Sequence, residues 1–340
     1  MTRKVLTLVA ISLLGCGAPE GRAPWAFAPM VIPADNPPSA AKTELGRLLF
    51  HDPLLSADRR TACVTCHAQY WGMSDGLPRS IGTGGEGAIG TGRRGTPVTR
   101  NAPSLWNVGW RESLFRDGRM RSLEAQSLAP LGAADELGRP VDEVVRDLRA
   151  IPEYVRLFTE AFPRDGDPVR AENLQRALAA FERTLVTDRA PWDRFVAGDT
   201  AALDDAEQRG WRLFQDLRCG ACHTPPRFES DRFAPSPAPS DDPGREVFTR
   251  DPAHRGHFRV PSLRNVRDTG PYFHQGAVGS LAEAVSRESL LRARALRDDE
   301  RDDLTAFLAS GLMDRTREPH RPDAVPSGLP VPADGFRAPR

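Results

Sequence analysis

Apolar residues recur at helical spacing along most of the chain. Leu45, Leu48 and Leu49 fall on one face of a segment, and the apolar residues between positions 141 and 148 repeat the same interval of three and four. No long stretch alternates apolar and polar residues, as a half-buried strand would. We therefore predict an all-α, mainly helical protein. The predicted helices are Ala40–Phe50, Val141–Leu148, Pro152–Phe162, Pro168–Val186, Asp205–Leu217, Leu281–Leu296 and Asp298–Leu312, with Asp204 or Asp205 capping one and Asp298 another.

One five-residue motif occurs twice, as Cys63-Val-Thr-Cys66-His67 and as Cys219-Gly-Ala-Cys222-His223. Two thiols on one turn can each form a thioether with a haem vinyl group, and the adjacent histidine can ligate the iron. Zinc sites and redox dithiols also use Cys-x-x-Cys pairs, but neither needs the histidine that follows each pair here. The sequence therefore predicts two covalently bound haem c groups, with His67 and His223 as proximal ligands.

The spacing of the two motifs predicts a tandem arrangement. They lie 156 residues apart in a chain of 340 residues, which is about one domain length. We expect two cytochrome c-like haem domains, residues 39–190 and 191–315, each a helical bundle around its haem. Proline-rich stretches flank them: residues 17–38 are predicted to be a tether and residues 316–340 a tail.

The first residues indicate export. Two basic residues precede an apolar run that ends at Leu14, too short to span a bilayer but suited to a signal peptide over residues 1–16. The tetrapeptide that ends at Cys16 resembles the lipobox of bacterial lipoproteins, and a lipid on this cysteine would anchor the protein to a membrane. Simple secretion with an unmodified cysteine is the alternative. Periplasmic export suits the haems, because bacteria attach haem c outside the cytoplasmic membrane. Acidic and basic residues are equal in number, which gives no sign of a nucleic-acid partner.

Further segments resemble the bacterial di-haem cytochrome c peroxidase and MauG family, and they occur in the order found in that family. They are ELGRLLFHDPLLS, SDGLPRSIGTGG, TRNAPSLWNVGW, FRDGRMRSLEAQSLAP, ELG at Glu136, AFERTLVTDRAPWDRFVAGD and FRVPSLRNVRDTGPYFHQGAV. The resemblance covers nearly all of the chain after the signal peptide. It implies an enzyme in which the N-terminal haem reacts with hydrogen peroxide and the C-terminal haem passes electrons to it.

The resemblance also implies roles for individual residues. Glu136 and Gln126 match the distal glutamate and glutamine of the peroxidatic haem, where a carboxylate can move a proton from one peroxide oxygen to the other. A solvated charge at a helix end is the alternative for Glu136. Asn101 matches the side-chain ligand of a calcium ion between the haems, helped by backbone carbonyls near Thr269 and Pro271.

Three positions depart from the family's pattern. The loop histidine that blocks the resting iron in peroxidases needing reductive activation is Thr83 here, so nothing obvious blocks this iron. The tryptophan that relays electrons between the haems is Arg116, and Trp110, with Trp106 behind it, is the nearest alternative ring. The position of the methionine or tyrosine that ligates the second haem is occupied by Glu288. Glu288 is a candidate for that sixth ligand, but the resemblance does not assign it.

The remaining histidines carry weaker signals. Four of them are expected at surface or turn positions: His51, His254, His257 and His320. His254 and His257 also stay open as distal ligands, because they lie just ahead of the FRVPSLRN segment.

These observations predict an exported di-haem peroxidase that reduces hydrogen peroxide with electrons from a small cytochrome c or copper protein. A MauG-like enzyme that oxidises residues of a partner protein is the alternative that Thr83 and Glu288 favour. A non-catalytic electron carrier is the third reading, and a carrier would close both coordination positions of each iron. A homodimer is a further expectation.

Overall fold

The computed structural model describes residues 25–290, 294–316 and 320–333; the predicted signal peptide and Cys16 lie outside these ranges. The fold is mainly helical, as predicted. Its α-helices are α1 (Ala40–His51), α2 (Cys63–Cys66), α3 (Leu123–Gly132), α4 (Val141–Arg149), α5 (Pro152–Ala161), α6 (Ala171–Glu182), α7 (Pro191–Val196), α8 (Asp205–Asp216), α9 (Glu246–Thr249), α10 (Leu281–Leu290) and α11 (Asp298–Ala306). Two short strands, β1 (Phe233–Pro235) and β2 (His257–Arg259), pair antiparallel. In the described ranges, no helix is long and apolar enough to cross a membrane.

The predicted helices are present, and several are shorter than predicted. Asp204 caps α8 by accepting a hydrogen bond of 2.8 Å from the backbone N–H of Glu207, as one prediction had it. The cap of α11 is Arg297 rather than Asp298, because the chain is still extended at Arg297. The end of α11 widens into one π-helical turn over Phe307–Gly311.

The pattern missed helix α3. Its apolar face is weak and Pro130 stands in its last turn, where proline removes a backbone donor. Ser122 nevertheless starts the helix, since its hydroxyl accepts a hydrogen bond of 3.2 Å from the backbone N–H of Ala125. Gln126 lies on this helix, which therefore sets the position of its side chain.

A close helix crossing organises the first half of the chain. Helices α1 and α6 pack together, and a Cβ atom at Gly46 would overlap the backbone carbonyl of Ala177. Only glycine allows this approach. A hydrophobic core of residues between 45 and 185 surrounds the crossing.

The second half of the chain contains a similar close crossing of two helices. Helices α8 and α11 pack together, and a Cβ atom at Gly210 would overlap the backbone carbonyl of Asp303. A separate core of residues between 192 and 312 surrounds this crossing. In both halves the glycine is followed four residues later by a buried phenylalanine, Phe50 or Phe214, shortly before the Cys-x-x-Cys-His motif. The described residues therefore contain two hydrophobic cores, each built around a close helix crossing.

Residues 25–38, the described part of the predicted tether (residues 17–38), contact the rest of the protein. The Trp25 ring meets the Trp192 ring edge-on, with centroids 6.0 Å apart, in the second half. The Asn36 amide donates a hydrogen bond of 2.8 Å to the Glu124 carboxylate in the first half. The segment therefore touches both halves instead of running free.

The C-terminal segment returns to the first half. Val325 is buried, Leu329 packs against the first core, and the Ser327 hydroxyl donates a hydrogen bond of 2.7 Å to the Asp52 carboxylate. Residues 320–333 thus complete the N-terminal half from the far end of the sequence.

Candidate haem sites

The first Cys-x-x-Cys-His motif forms helix α2 and holds its histidine in one orientation. The hydroxyl of Thr65 accepts a hydrogen bond of 2.9 Å from the backbone N–H of Ala62, which starts the turn. The His67 ring nitrogen Nδ1 lies 3.1 Å from the backbone carbonyl oxygen of Met73. A carbonyl can only accept, so Nδ1 carries the proton and Nε2 keeps a lone pair for a metal. Burial lowers the pKa of His67 to about 4, so its ring is neutral at ordinary pH.

A cavity of about 60 Å³ adjoins this motif. Its wall holds the three motif residues together with the two residues for which a distal role was predicted: Cys63, Cys66, His67, Gln126 and Glu136. Phe50 from α1 and Leu178 from α6 also line it, together with other apolar residues and a few polar ones.

A tight turn after α3 places Glu136. The backbone N–H of Gly138, at φ 65°, donates a hydrogen bond of 2.8 Å to the carbonyl of Ala133. Burial raises the pKa of the Glu136 carboxyl, and the neighbouring Asp135 charge raises it further, against a smaller lowering by Arg119. A half-buried carboxyl that holds its proton more firmly than usual is suited to proton transfer and is no longer a plain surface charge.

The loop that carries Thr83 is fixed against this turn. The backbone N–H of Thr83 donates a hydrogen bond of 2.6 Å to the carbonyl of Glu136. The Arg93 guanidinium donates to the backbone carbonyls of Ile81 and Gly82 at 2.7 and 2.8 Å. The loop therefore lies next to the cavity and offers only a short hydroxyl side chain at this position.

Sequence reasoning missed Glu182, a second carboxyl in the same wall. It ends α6, and the chain buries it almost completely, with 6% of its surface exposed. Burial raises its pKa to about 8. The charges of Glu182 and Glu136 both raise the pKa of the Cys63 thiol, after the larger effect of burial. The sequence did carry a signal for it. This glutamate follows buried alanines and a phenylalanine at the end of an apolar helix face, where a charged side chain is unexpected.

The second motif adjoins a larger cavity. The His223 ring nitrogen Nδ1 lies 3.0 Å from the backbone carbonyl oxygen of Pro261, so this histidine is oriented as His67 is. The cavity has a volume of about 450 Å³ and is lined by Cys219, Cys222 and His223 with mostly apolar neighbours. Ligand cavities commonly span about 300–1,000 Å³.

Glu288 lies in the wall of this second cavity, where the sequence placed a possible sixth ligand. His274 lies there too, but both its ring nitrogens meet serine hydroxyls, at 2.7 Å (Ser240) and 3.1 Å (Ser236). Its ring stacks on Phe258 at 4.0 Å. His274 is therefore held as a packed side chain.

The other histidines and the methionines lie away from this wall. His51 was expected at the surface or in a turn, and that was wrong: it is buried in α1 with Nδ1 2.8 Å from the carbonyl of Arg47. His254 and His257 make local contacts 3.0 Å long and do not line either cavity. Among the described methionines none lines the second cavity, and buried Met313 accepts a contact of 3.2 Å from the Asn265 amide.

Neither tryptophan considered as a relay lines a cavity. Trp106 is buried in the first core. The Trp110 indole donates a hydrogen bond of 2.8 Å to the carbonyl of Ala28, and its ring meets that of Phe27. Their relay role stays a prediction.

Asn101 is buried between the two halves, where a calcium ligand was considered. Its amide nitrogen donates to the carbonyl of Leu77 at 2.7 Å, and its backbone N–H donates to the carbonyl of His274 at 2.8 Å. Its side-chain oxygen accepts a hydrogen bond of 2.5 Å from the guanidinium of Arg116. An arginine thus occupies the oxygen that would bind the ion.

The residues around both motifs fit haem c. Each motif pairs two thiols with a histidine whose Nδ1 lies against a backbone carbonyl, so that the proton is on Nδ1 and Nε2 is the nitrogen that would ligate iron. Each also adjoins a cavity, mostly apolar at the second motif and with several polar residues at the first. These features define a protein of the c-type cytochrome class.

Comparison with known proteins narrows the class. The sequence model described as di-haem cytochrome c peroxidase matches residues 40–201. The methylamine utilization protein MauG of Methylorubrum extorquens is 39% identical over 81% of this chain and 79% of its own. Cytochrome c551 peroxidase of Pseudomonas aeruginosa is 34% identical over 88% of this chain and 87% of its own. A solved MauG-like protein associated with microbial copper homeostasis aligns with a TM-score of 0.76 at 31% identity, over 86% of this chain and 96% of its own.

The chain belongs to the di-haem cytochrome c peroxidase and MauG family. It is therefore an oxidoreductase, and the family implies two haem c groups. Peroxidases and MauG proteins both occur among its relatives.

Proposed function

We propose that this protein is an exported peroxidase that reduces hydrogen peroxide to water at the haem of His67. Electrons would enter at the haem of His223 from a small cytochrome c or copper protein. The observation that carries the proposal is that Glu136 and Gln126 share one cavity wall with Cys63, Cys66 and His67. An electron carrier has no need of a carboxyl and an amide beside an open iron position.

The residues of this wall supply acid–base chemistry. Haem attached at Cys63 and Cys66 would supply the iron site and the electrons for cleavage of the oxygen–oxygen bond. Glu136 can accept the proton of one peroxide oxygen and return it to the other, which then leaves as water. Its raised pKa favours the proton-carrying form that this return needs. Two electrons and two further protons complete the conversion of one peroxide into two waters.

A MauG-like activity is the second candidate, and the wall of the second cavity favours it. That wall contains Glu288 but none of the described methionines. A methionine ligand raises the potential of a His-ligated haem. Without one, the second haem would sit at low potential and would retain oxidising equivalents, which suits oxidation of a partner protein.

Stopped-flow mixing of the oxidised holoprotein with hydrogen peroxide separates the candidates. A peroxidase should oxidise about two equivalents of a reduced small cytochrome c per peroxide. A MauG-like enzyme should form an oxidised state that persists for minutes and leaves the cytochrome reduced. If neither the oxidised nor the half-reduced protein changes its haem spectrum with peroxide, the protein is a carrier and both proposals fail.

A further inference from the structure

The polar groups of Asn101 form hydrogen bonds with other residues of the protein. Its amide nitrogen must be the donor to Leu77, because a carbonyl only accepts. The side-chain oxygen is thereby turned to Arg116, whose guanidinium can only donate. The backbone carbonyl of Asn101 accepts a second hydrogen bond from the same guanidinium, at 3.2 Å from Nε. One cation therefore binds both oxygens of one residue.

A tight turn positions Arg116 next to Asn101. The backbone N–H of Leu114 donates a hydrogen bond of 2.9 Å to the carbonyl of Met120 across the turn. Phe115 and Gly118, on either side of Arg116, have φ angles of 63° and 74°. The backbone carbonyl of Arg116 accepts a hydrogen bond of 2.7 Å from Arg259 in the second half. Arg116 is thus fixed from both halves of the molecule.

The positively charged guanidinium of Arg116 donates its hydrogen bonds to neutral oxygens. Among the described residues, the hydrogen-bond acceptors of its guanidinium both belong to Asn101. Its neighbour Arg100 instead pairs with Asp117 and Asp242 at 2.8 and 2.7 Å. Burial, then the charges of nearby arginines, lower the pKa of Arg116 to about 10, so it stays charged at neutral pH.

This arrangement does not fit a calcium ion. Calcium takes about six to eight oxygen ligands at about 2.3–2.6 Å, and the guanidinium already lies against the oxygen that would provide the side-chain ligand. Two cations cannot share that oxygen at such distances without strong repulsion. An uncharged tryptophan, which the family has at this position, would leave the oxygen open.

We propose that the guanidinium of Arg116 takes the place of a bound calcium ion between the two halves, so that this protein carries its inter-haem cation as a side chain. Its haem environment is then independent of calcium. The inference concerns metal content and does not depend on which oxidant or donor the enzyme uses.

The wild-type holoprotein gives the first test. After purification in buffer with about 1 mM calcium and removal of free ions, elemental analysis should find two iron atoms and no calcium per chain. The visible spectrum and the unfolding temperature should be the same with calcium and with a calcium chelator. Stoichiometric calcium, or a spectral change on chelation, would overturn the proposal even if no variant folds.

Variants of the holoprotein give the second test. Arg116→Ala frees both oxygens of Asn101, so it should lower the unfolding temperature or change the haem spectrum, and about 1 mM calcium should restore both. Arg116→Lys keeps a positive charge and should need less calcium or none. Arg119→Ala is the matched control, because Arg119 lies in the same turn but pairs with Asp117. An Arg116→Ala protein identical to wild type, or altered in a way that calcium does not reverse, would show that Arg116 does not act as the cation.

Discussion

Glu136 is the residue on which the proposed chemistry turns. Glu136→Gln keeps the size of the side chain but cannot carry the proton, so we expect both haems to remain and the reaction with peroxide to slow about 10²- to 10⁴-fold. Stopped-flow absorbance measures this rate. Glu143→Gln is the control, since its side chain is 48% exposed on α4. Equal rates in wild type and Glu136→Gln would show that Glu136 takes no part in the reaction with peroxide.

Glu182 should make stability depend on pH. Burial raises its pKa from 4.5 to about 8, so between these values the folded protein holds a proton that the unfolded chain releases. The free energy of unfolding should therefore be highest below about pH 4.5 for this group and fall as pH rises through about 8. Glu182→Gln should remove this fall. Denaturant unfolding of both holoproteins at pH 6 and pH 8.5 measures it, and an equal fall in both would disprove the assignment.

Motif spacing predicted the cysteines and histidine of the first site, family resemblance predicted Glu136 and Gln126, and Glu182 was missed. The Cys-x-x-Cys-His spacing specifies local chemistry, so His67 and His223 could be identified without a fold. Glu182 could not, because only tertiary packing tells a buried helix-end carboxyl from a solvated one. The Asn101 contact was hidden for the same reason, since Arg116 is close to it only in the folded chain.

Apolar periodicity predicted the helices that show it clearly and missed one that does not. Strong apolar periodicity identified α1 and α4, whereas α3 lacks it and contains Pro130. The helix that presents Gln126 was therefore invisible to the pattern, although Gln126 itself was recognised by family resemblance.

The two glycine crossings predict paired effects on stability. Gly46→Ala forces α1 away from α6, and Gly210→Ala forces α8 away from α11. We expect each to lower the free energy of unfolding by about 1–3 kcal/mol or more, as overpacking does. Gly132→Ala is the control, because a Cβ atom there would meet no atom within 4 Å. Denaturant titration followed by circular dichroism tests this, and unchanged midpoints in both variants would contradict the tight crossings.

The loop around Thr83 predicts the resting state of the first haem. The loop is tied to Glu136 and Arg93 and presents no histidine, so we expect the fully oxidised protein to contain one high-spin, five-coordinate ferric haem. It should react with peroxide without prior one-electron reduction. Electron paramagnetic resonance of the oxidised holoprotein checks the first point. Two low-spin signals, or reactivity only after half-reduction, would mean that another residue blocks the iron.

At the scale of the whole molecule, each half has its own core, residues 25–38 contact both halves, and residues 320–333 contact the first. Val325 is buried against the N-terminal half, and Ala324 beside it is exposed. Val325→Asp places an unpaired charge in that interface and should cost about 2 kcal/mol or more. Ala324→Asp should cost little. Differential scanning calorimetry compares the two, and equal unfolding temperatures would show that the C-terminal segment contributes nothing to the fold.

The return of residues 320–333 to the first core has a consequence for biosynthesis. A ribosome makes the N-terminal half first, yet that half lacks Val325, Ser327 and Leu329 until nearly all of the chain has been translated. Asp52 receives its bond from Ser327 only then. The half of the molecule that carries Glu136 is begun first and finished last, so a chain that stops early leaves the proposed peroxide site in an incomplete fold.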